Sequence, residues 1–187
     1  MDHYIELRIR PDPEFPVSQL LNALVAKLHR ALVTLKADDI GMSFPHHIYK
    51  GVGLGHTLRV HGRHLRLEQL MHTHWLTGMV DHLDTSEILP VPAEAQHRIV
   101  RRVQTRSNAE RIRRRQMKRQ GWTETEARQR IPDSVERRVD LPWLMLRSQS
   151  TGQNFRLFIE HLPCQQEAVP GLFNAYGLSS TATVPWF

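Results

Sequence analysis

The chain has 187 residues, of which 40% are apolar and 24% charged, with a formal charge of +6, so it can bury a core and is neither a disordered polymer nor a coiled coil. No apolar run approaches the roughly 20 residues that span a bilayer, and the opening MDHYIELRIR lacks the apolar stretch of a secretory leader. The single cysteine, Cys164, closes no intramolecular disulfide and supplies no thiolate zinc cluster, so the chain is expected to be a cytoplasmic protein with no membrane association.

The first ten residues alternate, with Ile5, Leu7 and Ile9 on one side, which predicts a half-buried strand that Pro11, Pro13 and Pro16 stop. Ser18 is placed to cap a helix running to about Thr34, with Leu21, Leu24, Val25, Leu28, Leu32 and Leu35 as one buried stripe. Ile40 to Phe44 and Thr57 to His61 read as short strands flanking the loop KGVGLG, Leu65 to Trp75 as a helix, and Leu83 to Val91 as a returning strand. The order strand, helix, strand, strand, helix, strand is that of a ferredoxin-like (βαββαβ) domain. The expected class is therefore α+β, with residues 1–94 as the ferredoxin-like domain and 95–187 as a C-terminal α/β segment. In that segment Ser107 and Glu110 form a capping signature for a helix over about 108–120, which Gly121 ends. Thr123 and Glu126 repeat the signature, and WLMLRSQ, NFRLFIEH and LFNAYGLS read as strands.

Positive charge is concentrated rather than spread. Arg outnumbers Lys 21 to 4, and the stretch from Arg98 to Arg119 carries +9 with Glu110 as its only acid, leaving the rest of the chain at −3. Arginine presents a planar fork of donors that grips phosphates in pairs and reaches base edges, so the segment points to nucleic acid rather than to general solubility. On a helix turning about 100° per residue, Arg111, Arg114, Arg115, Lys118 and Arg119 share one face, with Ile112 and Gln116 on another. If His97 to Gln104 is extended, Arg102 and Gln104 fall on one side and suit guanine and adenine edges; a plain linker is the competing reading.

Twelve histidines include the pairs His46 with His47, His61 with His64, and His72 with His74, none with an HExxH spacing or a cysteine partner. They read as surface histidines, and no metal or other cofactor is expected. His29 stands apart at the edge of the amphipathic helix's apolar stripe, where a histidine is either a boundary residue or a catalyst. Ser148, Ser150 and Thr151 beside Arg147 suit either a phosphate or sugar ligand or a hairpin turn. Phe155 is a stacking platform or a core residue, and Tyr176 before Gly177 is open in the same way.

Taken together, HYIELRIRPDPEFP, Leu28-His29 on the first helix, RVQTRSNAERIRRRQMKRQ, LRSQSTGQNFRLFI, AYGLS and the terminal VPWF make the chain resemble one family over nearly its whole length. It is similar to the type I-F (Yersinia-subtype) CRISPR repeat-processing endoribonucleases of the repeat-associated mysterious protein superfamily. The resemblance implies a metal-independent endoribonuclease that binds the repeat hairpin of precursor CRISPR RNA. It would cut once at the hairpin's 3′ base and retain the mature guide RNA as a monomeric subunit beside the other subunits of a surveillance complex. It further implies phosphate contacts from Arg114, Arg115, Lys118 and Arg119, base reading by Arg102 and Gln104 and stacking by Phe155, with Arg111 and Ser150 as further expected RNA-binding residues. His29 would accept the 2′-hydroxyl proton, Ser148 would hold the ribose, and Tyr176 would orient His29. The remaining alternatives are a non-catalytic RNA-hairpin-binding subunit and a DNA-binding regulator.

Overall fold

The computed structural model describes residues 1–47, 53–104, 109–132, 140–149 and 151–187, except for the side chains of Glu110 and Arg111. Among them, in chain order, are β1 (His3–Ile9), α1 (Val17–Leu35), β2 (Gly41–Ser43), β3 (Thr57–Gly62), α2 (His64–His72), β4 (Leu83–Thr85), β5 (Leu89–Pro90) and β6 (Gln96–Arg98). There follow β7 (Val100–Val103), α3 (Ala109–Gln120), α4 (Glu124–Arg130), β8 (Trp143–Arg147), β9 (Asn154–His161) and β10 (Val184–Trp186). This is a mixed α plus β protein with antiparallel sheets. It divides into two compact units, one of Met1–Val103 with Leu141–Phe187 and one of Gln104–Asp140.

In the larger unit, β1 sits inside a sheet of order β2-β3-β1-β4, with β5 pairing the start of β1. The alternation of Ile5, Leu7 and Ile9 puts each of them at 3% exposure or less, in antiparallel register with β3 through Ile5↔Val60 and Leu7↔Leu58. The expected strand from Leu83 to Val91 is two short ones: at Ser86 the Glu6 N–H of β1 donates to the side-chain Oγ at 2.9 Å, where a ladder would continue through the backbone carbonyl. Helix α1 buries Leu20, Leu21, Leu24, Val25, Leu28, Ala31 and Leu32. Truncating the fully buried Leu24 or Leu28 to Ala would cost about 2–5 kcal/mol. Ser18 does not cap this helix. Pro16 is the N-cap, in extended conformation, and its carbonyl accepts from the N–H groups of Gln19 and Leu20.

The same unit holds a three-stranded sheet of order β7-β9-β8 and a two-stranded pairing of β10 with β6. Leu144, Leu146, Leu157, Ile159 and Val100, from one side of the three-stranded sheet, join the same core as β1 and α1. The side-chain amide oxygen of Asn22 on α1 accepts from the Met145 N–H on β8 at 3.0 Å, tying the helix to this second sheet. LFNAYGLS is not a strand: it turns, with Gly177 at φ +70, because the Asn174 side chain captures the N–H groups that a strand would offer to a neighbour. Among the described residues the strand β10, with Pro185 in its middle, pairs on one side, as a proline-bearing strand can.

The smaller unit packs α3 on α4 around Ala109, Ala127 and Ile131, which are 1%, 0% and 9% exposed. The Thr123 and Glu126 capping box is complete, with Thr123 Oγ1 accepting from Glu126 N–H and the Glu126 carboxylate accepting from Thr123 N–H. Gly121 ends α3 in the left-handed conformation, φ +68, and its N–H donates to Met117. Ser107, expected to cap α3, lies outside the described residues.

Candidate active site and basic helix

Helix α1 carries His29 at the rim of its buried stripe, half-buried beside the fully buried Leu28. Its ring stacks on that of Tyr176, centroids 4.0 Å apart and planes 8° apart. His29 Nδ1 lies 2.8 Å from the carbonyl oxygen of Ala175. A carbonyl can only accept, so Nδ1 carries the hydrogen, and in the neutral ring Nε2 keeps its lone pair. Helix and turn thus fix both the plane of the imidazole and the nitrogen that can take a proton.

The same turn connects to the base-reading candidates. The Arg102 guanidinium on β7 lies 5.9 Å from the Tyr176 ring centroid and 5.8 Å from that of Phe155 on β9, both within cation–π range. Phe155 is half-buried and packs against the core. His29, Tyr176, Arg102 and Phe155 therefore form one continuous chain of contacts drawn from α1, the 174–178 turn, β7 and β9. Ser148 stands at the end of the β8–β9 hairpin, where Leu146 pairs with Phe155. Its Oγ accepts from the Thr151 N–H at 3.3 Å and its own N–H donates to Gln153 at 2.9 Å, so it organises that turn. Ser150 lies outside the described residues. Gln104 is exposed just past the end of β7.

On α3, Ile112, Arg113, Gln116 and Met117 are half-buried, while Arg114, Arg115, Lys118 and Arg119 are exposed on the remaining face. Arg113 is not part of that exposed row, since its Nε donates to the Ile131 carbonyl at 2.8 Å. The backbone of Arg111 belongs to the helix and its side chain lies outside the described residues. A row of four cations over two turns without an interleaved acid raises the local potential and suits a polyanion.

Of the paired histidines, His46, His64, His72 and His74 are exposed as expected, His47 is half-buried, and His61 departs from the expectation. His61 is fully buried in β3, where it shares a hydrogen bond of 2.8 Å with Ser43 Oγ, and burial, with Arg59 nearby, pushes its pKa down to about 3. Both faces of β3 are covered, so the strand admits no surface histidine. His161, not singled out by sequence, is buried among Phe44, His47 and Trp186, and burial, with His47 and Arg98 adding to it, lowers it to about 2. Among the described residues no three His, Cys, Asp or Glu side chains gather as a metal-binding group. Sequence reasoning also missed Asn174 and the Ala175 carbonyl; the only local signal was the turn-forming run Asn-Ala-Tyr-Gly.

The family model for CRISPR-associated protein (Cas_Csy4) matches residues 4–187. A relative from Pseudomonas aeruginosa (strain UCBPP-PA14), named CRISPR-associated endonuclease Cas6/Csy4, is 52% identical over 187 residues, covering 100% of both chains. Another of the same name, from Escherichia coli (strain UTI89 / UPEC), is 46% identical over 188 residues, again covering 100% of each. A basic helix, a histidine fixed by a stacked tyrosine, and this end-to-end similarity converge on one assignment: the chain belongs to the CRISPR-associated Csy4 family.

Proposed function

We propose that the protein is a metal-independent endoribonuclease that binds the repeat hairpin of precursor CRISPR RNA, cuts at its 3′ base and keeps the mature guide RNA. The observation that carries the catalytic part is the hydrogen bond of His29 Nδ1 to the Ala175 carbonyl, which leaves Nε2 as proton acceptor. Nε2 takes the proton of the 2′-hydroxyl beside the scissile phosphate, and the resulting oxygen attacks that phosphorus. The bond to the 5′-oxygen breaks, that oxygen takes up a proton, and the products are a 2′,3′-cyclic phosphate and a 5′-hydroxyl. The exposed row Arg114, Arg115, Lys118 and Arg119, together with Arg111, holds hairpin phosphates. Arg102 and Gln104 read bases, Phe155 stacks on the end of the stem, and Ser148 and Ser150 hold the RNA next to the cut. Positioning supplies much of the acceleration.

The sheet order β2-β3-β1-β4 supports a ferredoxin-like arrangement for residues 1–94, with 95–187 as the RNA-binding part. No described helix is long and apolar enough to cross a membrane. We place the protein in the cytoplasm as a monomeric subunit that joins the other subunits of a type I-F surveillance complex through its retained RNA.

The test pairs cleavage with binding on a repeat hairpin in EDTA. His29→Ala is expected to lose at least about 10²-fold in cleavage rate and to hold hairpin affinity within about twofold, and a 2′-deoxy nucleotide before the cut is expected to block the wild type. Cleavage that survives the deoxy substitution overturns the mechanism. Binding without any cleavage by the wild type makes the protein a hairpin-binding subunit instead.

A further inference from the structure

Which ring nitrogen of His29 carries the hydrogen is decided by the turn that runs from Asn174 to Leu178. Asn174 Oδ1 accepts from the Tyr176 N–H at 2.8 Å and from the Leu178 N–H at 3.4 Å. The backbone of the same residue closes the loop, its N–H donating to Leu178 and its carbonyl accepting from Gly177, both at 2.8 Å. The turn is fastened to β2 by the Met42 N–H, which donates to the Gly177 carbonyl at 2.8 Å. Between these fastenings lie Ala175, whose carbonyl receives the His29 Nδ1–H, and Tyr176, whose ring stacks on His29. Asn174 itself is exposed, so its side chain fills no core, and the two bonds to Oδ1 are what that side chain contributes.

We propose that Asn174 is a positioning residue for RNA cleavage: by holding the Ala175–Tyr176 turn, it keeps His29 as the Nδ1–H tautomer with Nε2 open to the 2′-hydroxyl. This rests on the reading of His29 as the proton acceptor. An imidazole with no fixed partner populates both tautomers, and in the wrong one Nε2 is a donor and cannot take a proton. Without Asn174 Oδ1 the Tyr176 N–H loses its acceptor and the turn loses the bond that aims the Ala175 carbonyl. The ring keeps its stacking, which fixes its plane, but the carbonyl that fixes its hydrogen is then aimed by the backbone bonds of the turn alone and is held less firmly. The cost falls on the rate of the chemical step and not on hairpin binding, because Asn174 is no part of the cationic row.

Two measurements on the full chain separate this from a structural role. Nitrogen-15 NMR of histidine-labelled protein at mildly alkaline pH, with His29 assigned by its loss in His29→Ala, reads the tautomer with no RNA present. The wild type is expected to show Nδ1–H at His29, and Asn174→Ala a mixture of both forms. Single-turnover cleavage on the pH plateau, with protein saturating over hairpin RNA, is expected to slow about three- to tenfold in Asn174→Ala, with hairpin Kd within about twofold. Asn174→Asp, whose carboxylate accepts from the same two N–H groups, is expected to restore both tautomer and rate. Unchanged tautomer and rate in Asn174→Ala, or an Asp variant as impaired as the Ala variant, overturns the proposal. A tautomer shift in a protein that cleaves nothing sinks the reading of the reaction and leaves the positioning role intact; normal His29-dependent cleavage with no effect at Asn174 does the reverse.

Discussion

His29 and Tyr176 stack nearly parallel, 4.0 Å between ring centroids and 8° between planes, although they are 147 positions apart in the chain. Face-to-face contact at that separation is a property of the ring, and the phenolic hydroxyl takes no part in it. Tyr176→Phe should therefore cleave within about twofold of the wild type, whereas Tyr176→Leu should be slower by about two- to tenfold, the worth of an aromatic pair. Single-turnover rates on a repeat hairpin decide this. A Phe variant as slow as the Leu variant would move the hydroxyl into the mechanism.

The exposed row on α3 and the ring-flanked guanidinium of Arg102 predict different losses. Arg115, Lys118 and Arg119 lie on the exposed face of α3, where their contact with phosphates is proposed to be electrostatic, so Arg115→Ala with Arg119→Ala should weaken binding to all hairpins alike. It should also flatten the plot of log affinity against log salt by about 2 in slope, one for each phosphate left without its arginine. Arg102, held between Phe155 and Tyr176, should instead affect discrimination. Arg102→Ala should cost about 1–3 kcal/mol on the preferred repeat and little on one with the contacted guanine replaced. Filter-binding titrations at three salt concentrations separate the two; equal losses on both repeats for Arg102→Ala would remove its base-reading role.

The elements legible in the sequence are those whose cause is local. The alternation of β1, the leucine stripe of α1 and the Thr123–Glu126 box are each written within a few residues, and each formed where its pattern lay. The row of cations on α3 was legible for the same reason. What escaped is set by distant partners. His61 and Arg59 look like the polar side of an amphipathic strand, yet β3 is covered on both faces, and Arg59 is satisfied by Glu6 directly across the sheet and by the rings of Tyr4 and Phe187. The edge position of His29 could be read from helix periodicity. Its hydrogen-bond partner could not, because a backbone carbonyl leaves no mark in the residue type of Ala175.

Buried neutral histidines make the stability depend on pH. His61 and His161 have folded-state pKa values of about 3 and about 2, pushed down from 6.5 mainly by burial. Below pH 6.5 the unfolded chain protonates both while the folded one does not, so unfolding takes up protons and stability falls as the solution is acidified. Each contributes up to about 1.4 kcal/mol per pH unit, starting near pH 6.5 and continuing toward pH 3, and neither contributes above about pH 7.5. Urea unfolding from pH 7.5 to 4.5 should show this slope, and His161→Phe should reduce it by about one proton. A variant with the wild-type slope would mean that His161 is protonated in the folded state.

Two glycines with the same backbone twist separate strain from crowding. Gly177 has φ +70, and a Cβ there would sit 3.2 Å from the Met42 nitrogen and 3.4 Å from the Ile40 carbonyl oxygen. Gly78 has φ +77 with nothing within 4 Å of the same position. Gly78→Ala should lose only the left-handed penalty, about 1 kcal/mol, and cleave normally. Gly177→Ala should lose about 2 kcal/mol or more, since the penalty is joined by backbone atoms of Ile40 and Met42 that cannot swing away as a side-chain tip would. It should also slow cleavage, because the residue it displaces is the neighbour of Tyr176 and the carbonyl it moves is the one that Met42 holds. Thermal melts and single-turnover rates measured on both variants distinguish the cases, and equal destabilisation with normal cleavage in both would show that the turn yields without disturbing His29.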